Sequence, residues 1–133
     1  MSEDRGFFSS TSRGILMFDV KTKRLYEPRE PRDGIRVLVM RFWPRGVKKD
    51  SIDEWLRELG TDQELIRKWK NGRISWAEFR EAYLKGLNSP IKQEALSRLM
   101  DLSSKGPVTL LCTCPQEDRC HRGILKDLIT SNL

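Results

Sequence analysis

Long apolar runs, histidine and glycine-rich phosphate loops are what this chain of 133 residues has least of. No stretch approaches the ~20 apolar residues that a spanning helix needs, so no membrane partner is expected. The opening MSEDRGFFSSTSRG begins on acids and carries no long apolar stretch, which excludes the pattern of a secretory signal. No GxGxxG follows a strand, and GxxxxGK[ST], HExxH and GxSxG are all missing. The dinucleotide, P-loop, zincin and α/β-hydrolase chemistries therefore lack their signatures, and no cofactor is expected. A single histidine, His121, excludes a histidine-rich metal centre or a histidine pair. Only three cysteines occur, Cys112, Cys114 and Cys120, all within nine residues. An odd, clustered set is not a secreted disulfide framework; it points to a reducing, cytoplasmic compartment and to a local site.

What is present suits one soluble domain. At this length roughly two-thirds of the unfolded chain's surface can be buried, so neither a metal nor a disulfide is required to hold the core. The 33% of charged residues give a net charge of +6, unevenly placed. Residues 1–50 hold 12 Lys/Arg against 7 Asp/Glu, and the remainder 13 against 12. The surplus lies in the segment containing RFWPR, which favours an anionic partner, either a phosphorylated small molecule or nucleic acid. Residues 1–12 read as a flexible arm and 13–133 as a single α/β domain, without repeats or low-complexity tracts.

Periodicity sets the elements. Ile15–Val20 and Ile35–Met40 are short apolar runs that read as strands, with KTKRLYEPREPRDG as a loop between them and Arg36 facing solvent near the second strand's entry. Pro44 forces a turn after the second strand. Ile52, Trp55, Leu56 and Leu59 recur at helical spacing, predicting a helix over IDEWLREL closed by Gly60. Further helices are predicted over 62–71, from Ser75 with a Ser75/Glu78 capping box, and from Pro90 to about 103. Val108–Cys112 is the next strand, and HRGILKDLI the last helix. Strands separated by helices imply a small, mostly parallel sheet covered by helices.

In such a sheet ligands bind beyond the carboxyl ends of the strands. If Ile35–Met40 and Val108–Cys112 are neighbours, the RFWPR turn and the CTCPQEDRCHR loop share one rim. Arg41, Arg45, Arg119 and Arg122, with Lys48 and Lys49, would then surround an anionic small molecule, since arginine's planar fork suits phosphate or carboxylate. His121, at the start of the last helix, would serve as donor or base, kept neutral by the helix dipole. Cys120 is one candidate nucleophile at the same helix start. Cys114, followed by Arg119 in a C-x4-R layout, is another candidate nucleophile or a redox partner of Cys120. As a metal site, C-x-C-x5-C-H supplies four soft or borderline ligands, but adjacent Cys120 and His121 are a poor chelating pair, and no metal is expected. Trp43 and Pro44 read first as a packing corner, second as a stacking platform. A nucleic-acid module would instead need a stripe extending over Lys48, Lys49, Lys21, Lys23 and Arg24.

The chain resembles the domain of unknown function 488 (DUF488) family over about Lys23–Leu128. The likeness is carried by Arg41-Phe42-Trp43-Pro44-Arg45-Gly46-Val47, then Asp53, Trp55 and Leu56, then Phe79 and Tyr83, and finally PVTLLC. Cys120-His121-Arg122 looks like the Cys-His-Arg element of one branch of that family, which singles out His121 as a shared position. Gly60-Thr61-Asp62 stands where relatives often have a Pro-Ser pair. The resemblance implies an α/β fold with the two loops paired, and it supplies no reaction.

Overall fold

Val108–Cys112 is buried at every residue, as a strand must be when it has neighbours on both edges and cover on both faces. In the computed structural model, which describes residues 19–114 and 116–131, the strands are β1 (Val20–Arg24), β2 (Ile35–Leu38), β3 (Glu54–Trp55) and β4 (Val108–Cys112). They form a four-stranded sheet of order β1-β4-β2-β3, and every pairing is parallel. Val20 pairs with Val108 and Ile35 with Val108, so β4 lies between the first two strands in matched register. The helices among the described residues are α1 (Gln63–Lys70), α2 (Trp76–Gly86), α3 (Pro90–Lys105) and α4 (His121–Ser131). The result is a small single domain with a parallel sheet covered by helices, and no helix in it is long and apolar enough to cross a membrane.

Side-chain alternation splits the strands into two faces. Val20, Val37, Val39, Val108 and Leu110 point into the larger core with Leu59, Phe79, Leu99, Leu125 and residues of all four helices. Leu38 and Leu111 point the other way, into a smaller cluster with Leu25 and Ile52, covered by Met40, Trp43 and Val47 from the long loop after β2 and by Trp55 of β3. Helices thus cover one face and a loop covers the other.

Three expectations need correcting. First, IDEWLREL is not a helix: Glu54–Trp55 pairs with Val37–Leu38 as an edge strand, and a single 3-10 turn follows at 57–59. The helical spacing of Ile52, Trp55, Leu56 and Leu59 is real, but edge pairing to β2 overrides it. Second, the first strand begins at Val20 and runs into VKTKR, part of the stretch assigned to a loop; Ile15–Phe18 and the 1–12 arm lie outside the described residues. Third, Arg36 is 1% exposed rather than facing solvent. Its guanidinium bonds Asp33 at 2.7 Å, the Ser51 carbonyl at 2.8 Å and the Glu27 carbonyl at 3.2 Å beneath the loop face. Elsewhere the signals held: Ser75 and Glu78 form the reciprocal capping box that starts α2, and Pro90 opens α3.

Candidate functional site

The sheet order puts the ends of β2 and β4 side by side, and the Val39 N–H donates to the Leu111 carbonyl at 3.1 Å just beyond the last ladder pair. Past that point the two chains diverge, and the opening between them is a cavity of about 240 Å³. Its floor is Cys112, Cys114, Cys120 and His121; its apolar wall is Met40, Phe42, Ile66, Trp69 and Phe79; its polar rim is Arg41, Thr61, Gln63, Lys70, Thr113 and Arg119. No carboxylate lines it among the described residues.

Two glycines permit this arrangement. A side chain at Gly60 would strike the backbone nitrogen of Arg41, so only glycine lets the chain leading into Thr61 lie against the strand end. A side chain at Gly123 would strike the Glu117 carbonyl, so the first turn of α4 can carry the 117–119 turn directly on its surface. The same loop is braced by Arg122, whose Nη1 donates to the Cys114 carbonyl at 2.6 Å.

The floor is built from a strand end and a helix start. Cys112 ends β4 and Cys114 follows the bend at Thr113, with their Sγ atoms 3.6 Å apart. Cys120 is extended (φ −143°, ψ 148°) immediately before α4, and this brings its Sγ to 3.7 Å from Nδ1 of the neighbouring His121. His121 Nε2 pairs with the Val39 carbonyl. A carbonyl only accepts, so Nε2 carries the proton. Burial lowers the pKa of the ring despite that bond, which favours the neutral form, and Nδ1 is left as an acceptor facing the Cys120 thiol at 3.7 Å. The sequence reading also made His121 neutral but assigned this to the helix dipole; burial is the larger cause. Among the thiols, hydrogen bonds from Cys112 and then Cys120 pull Cys114 down. The bond to Cys114 pushes Cys112 up, and bonds to Cys112 and Cys114 together with burial push Cys120 up.

Two polar atoms of this rim stand out. Thr61 is 5% exposed, and its Oγ1 has no hydrogen-bond partner among the described residues; the same holds for Nε of Arg41. An orphaned buried donor costs about 1–3 kcal/mol; of the three such atoms among the described residues, two belong to residues that line this cavity and the third is Arg122 Nε. The other edge of the Arg41 guanidinium, Nη2, is held by Asp62.

The candidate residues therefore divide. Arg41, Arg119, Cys114, Cys120 and His121 come together on one cavity. Cys120 is 2% exposed, whereas Cys114 is half-buried and is the thiol most open to a ligand. Arg122 is buried beneath the floor and does not line the cavity; it holds the loop. Arg45 is exposed at the tip of the turn beside Gly46 and is not among the lining residues. Trp43 and Pro44 are half-buried, and Trp43 packs on the opposite face of the sheet. Trp43 donates its indole N–H to the Val47 carbonyl at 3.0 Å and packs edge-on to Trp55 with centroids 5.3 Å apart. Thr61, Gln63, Lys70, Trp69 and Phe79 were not foreseen as site residues. The one clue to them was the departure Gly60-Thr61-Asp62; Trp69 and Phe79 are indistinguishable by spacing from ordinary core residues.

Comparison with known proteins places these residues in a family. The model of DUF488-N3a, the active DUF488-N3 subclade, matches residues 20–133. The uncharacterised protein YeaO of Escherichia coli (strain K12) is 38% identical over 115 residues, covering 85% of this chain and 98% of its own. The uncharacterised protein Rv3073c of Mycobacterium tuberculosis (strain ATCC 25618 / H37Rv) is 32% identical over 112 residues, covering 83% and 92%. No solved structure matches the chain.

Proposed function

We propose, for a chain that belongs to the DUF488-N3a family, that the cavity at the carboxyl edge of its sheet binds a small anionic molecule with an apolar, ring-like body and brings it onto the Cys/His floor. The observation that carries this reading is the pair of buried groups without a partner among the described residues, Thr61 Oγ1 and Arg41 Nε, both on residues that line the cavity. A side-chain shift that uncovers them lets an anionic oxygen accept there, with Arg119 and Lys70 adding positive charge, while Phe42, Trp69 and Phe79 suit a flat apolar body. Beneath it, Cys114 and the Nδ1 lone pair of His121 are the groups available for Cys/His-assisted chemistry. Three free thiols fit a reducing, cytoplasmic setting.

The nucleic-acid alternative draws less support. Lys21 pairs with Asp19 at 3.1 Å, and Lys23 is held by Asp33 and Glu30, so two cations of the required stripe are already engaged.

Titration of the tryptophan fluorescence with phenyl phosphate, inorganic phosphate and benzyl alcohol tests the proposal, because Trp69 lines the cavity. Phenyl phosphate should bind more tightly than either of the others. Arg41→Ala should weaken it about 10- to 100-fold, the scale of one lost charge-assisted hydrogen bond. Equal affinity for phenyl phosphate and benzyl alcohol, or indifference to Arg41→Ala, would overturn it.

A further inference from the structure

The rim explains why an anion would enter the cavity; it does not explain why three thiols and an imidazole are gathered at the bottom. Buried cysteine is ordinary as a small hydrophobe, and Cys112 at the end of β4 needs no further reason by itself. The grouping is different. Sγ of Cys112, Sγ of Cys120 and a ring nitrogen of His121 all lie within 4.8 Å of one another, and all three residues are buried. In a tetrahedral zinc site, with bonds of about 2.3 Å to sulfur and 2.0–2.1 Å to nitrogen, ligand atoms sit roughly 3.5–3.8 Å apart. Cys120 Sγ and His121 Nδ1 already stand at 3.7 Å. The remaining separations need only a small inward movement of side chains.

A second, independent feature points the same way. A histidine that binds a metal through one nitrogen characteristically donates its other N–H to a carbonyl or carboxylate, which fixes the tautomer and aims the lone pair. His121 does this: Nε2 is tied to the Val39 carbonyl, and Nδ1 is left facing the sulfurs. Arg122 supplies the corresponding support on the sulfur side, with Nη1 3.9 Å from Cys120 Sγ. The objection from sequence, that neighbouring Cys120 and His121 chelate poorly, is answered by the backbone. The extended residue before the helix and the first residue within it bring Sγ and Nδ1 to 3.7 Å of each other.

We propose that Cys112, Cys120 and His121 Nδ1 bind one soft or borderline divalent ion of the zinc class, with the fourth coordination position open to the cavity. Cys112 and Cys120 enter as thiolates and His121 as neutral imidazole, so binding releases two thiol protons to solvent and leaves the centre without net charge. Three protein ligands with an open fourth position is the arrangement of catalytic rather than structural zinc. The anion of the preceding section would meet the ion at that position, with Cys114 beside it on the floor, its Sγ 3.6 Å from that of Cys112. This deepens the anion-pocket reading and rests on it for the use of the open position, but the two fail separately.

The test uses the full metal-free chain titrated with cobalt(II). One equivalent should bind, with intense thiolate-to-cobalt charge-transfer bands and the visible bands of tetrahedral cobalt, and with about two protons released per ion. Zinc should displace the cobalt. Cys112→Ser, Cys120→Ser and His121→Ala should each weaken binding at least about 100-fold, whereas Cys114→Ser should keep one equivalent and the thiolate bands. Circular dichroism of each variant separates loss of the site from loss of the fold; the wild-type cobalt spectrum decides the matter even where a buried variant does not fold. Absence of thiolate bands in the wild-type chain, or their loss in Cys114→Ser alone, would overturn the assignment. Phenyl phosphate that binds the metal-free chain when no cobalt does sinks the metal site and leaves the pocket standing. Cobalt that binds while phenyl phosphate neither binds nor alters its spectrum does the reverse.

Discussion

The two faces of the sheet hold polar groups in opposite conditions. On the loop face, Asp33 and Arg36 are each 1% exposed, and their charges are answered on every side. Asp33 also accepts from Lys23 at 3.1 Å and from the Glu30 N–H at 3.0 Å, while the Thr109 hydroxyl donates to its carbonyl at 2.8 Å. Nearby, Asp53 accepts from the Arg36 N–H at 2.8 Å and from Arg29 at 2.9 Å. On the helix face, at the carboxyl end of the same strands, Thr61 Oγ1, Arg41 Nε and Arg122 Nε have no partner among the described residues. A satisfied buried network orders the fold, as the one under the loop does. An unsatisfied one costs stability and is retained where something else completes it. The contrast separates structure from site within one sheet, and charge alone would not: both regions are rich in arginine.

The largest break in that contrast comes from Arg36→Met. Removing one member of a buried ion pair leaves Asp33 charged and short of a donor, at a cost of about 3 kcal/mol. Urea denaturation should show this as a lower midpoint, while the folded fraction should still bind phenyl phosphate with unchanged affinity. Loss of binding without loss of stability would mean that the loop face belongs to the site.

Acid should weaken the same network next. Burial alone would raise the Asp33 pKa, but the Glu30 N–H, Arg36 and Lys23 outweigh it and hold it at about 2, below its ordinary 3.8. A depressed folded-state pKa contributes stability that is present above the unfolded value and is lost as pH falls through the folded one. Between about pH 4 and pH 2 the chain should therefore lose about 2 kcal/mol through this residue. Asp53, lowered chiefly by its bond to Arg29, should add to the loss in the same direction. In Asp33→Asn that part of the acid dependence should vanish; persistence of the full slope would place it elsewhere.

The smallest effect is the sharpest. Thr61→Val deletes an unpartnered hydroxyl and keeps the shape, so stability should rise by up to about 1 kcal/mol while phenyl phosphate binds several-fold more weakly. A destabilised Thr61→Val would show that the hydroxyl was satisfied within the fold after all, and the distinction between the two faces would blur.

How much of this was legible in the chain varied with how local each signal was. The capping box at Ser75 and Glu78, Pro90 and the apolar run Val108–Cys112 are decided within a few residues, and each became the element expected of it. Glu54–Trp55 could not be read this way, because what makes it a strand is β2 alongside it, some 17 residues earlier in the register Val37–Glu54. The polar β1 was hidden for the same reason. Its VKTKR lacks an apolar signature and is a strand through its pairing with β4. The candidate site was half visible: the arginines, cysteines and histidine announce themselves by type, but Arg45 and Arg122 were grouped with Arg41 by charge when only Arg41 and Arg119 line the cavity.

From the linear order of residues alone came the fold class, the starts of the four described helices together with a false one over IDEWLREL, the crowding of soft donors near residue 120 and the expectation of an anionic partner. These follow from periodicity, capping chemistry and residue type, which act over a few positions. Only the tertiary structure decided which charges are spent on the fold and which are left for a ligand. Those assignments depend on backbone groups brought from afar: the Val39 carbonyl on His121, the Arg41 backbone against Gly60, Asp33 beneath Arg36. A hydrogen bond is satisfied or orphaned by what lies within about 3 Å of it, and in a folded chain that neighbour is seldom the next residue along.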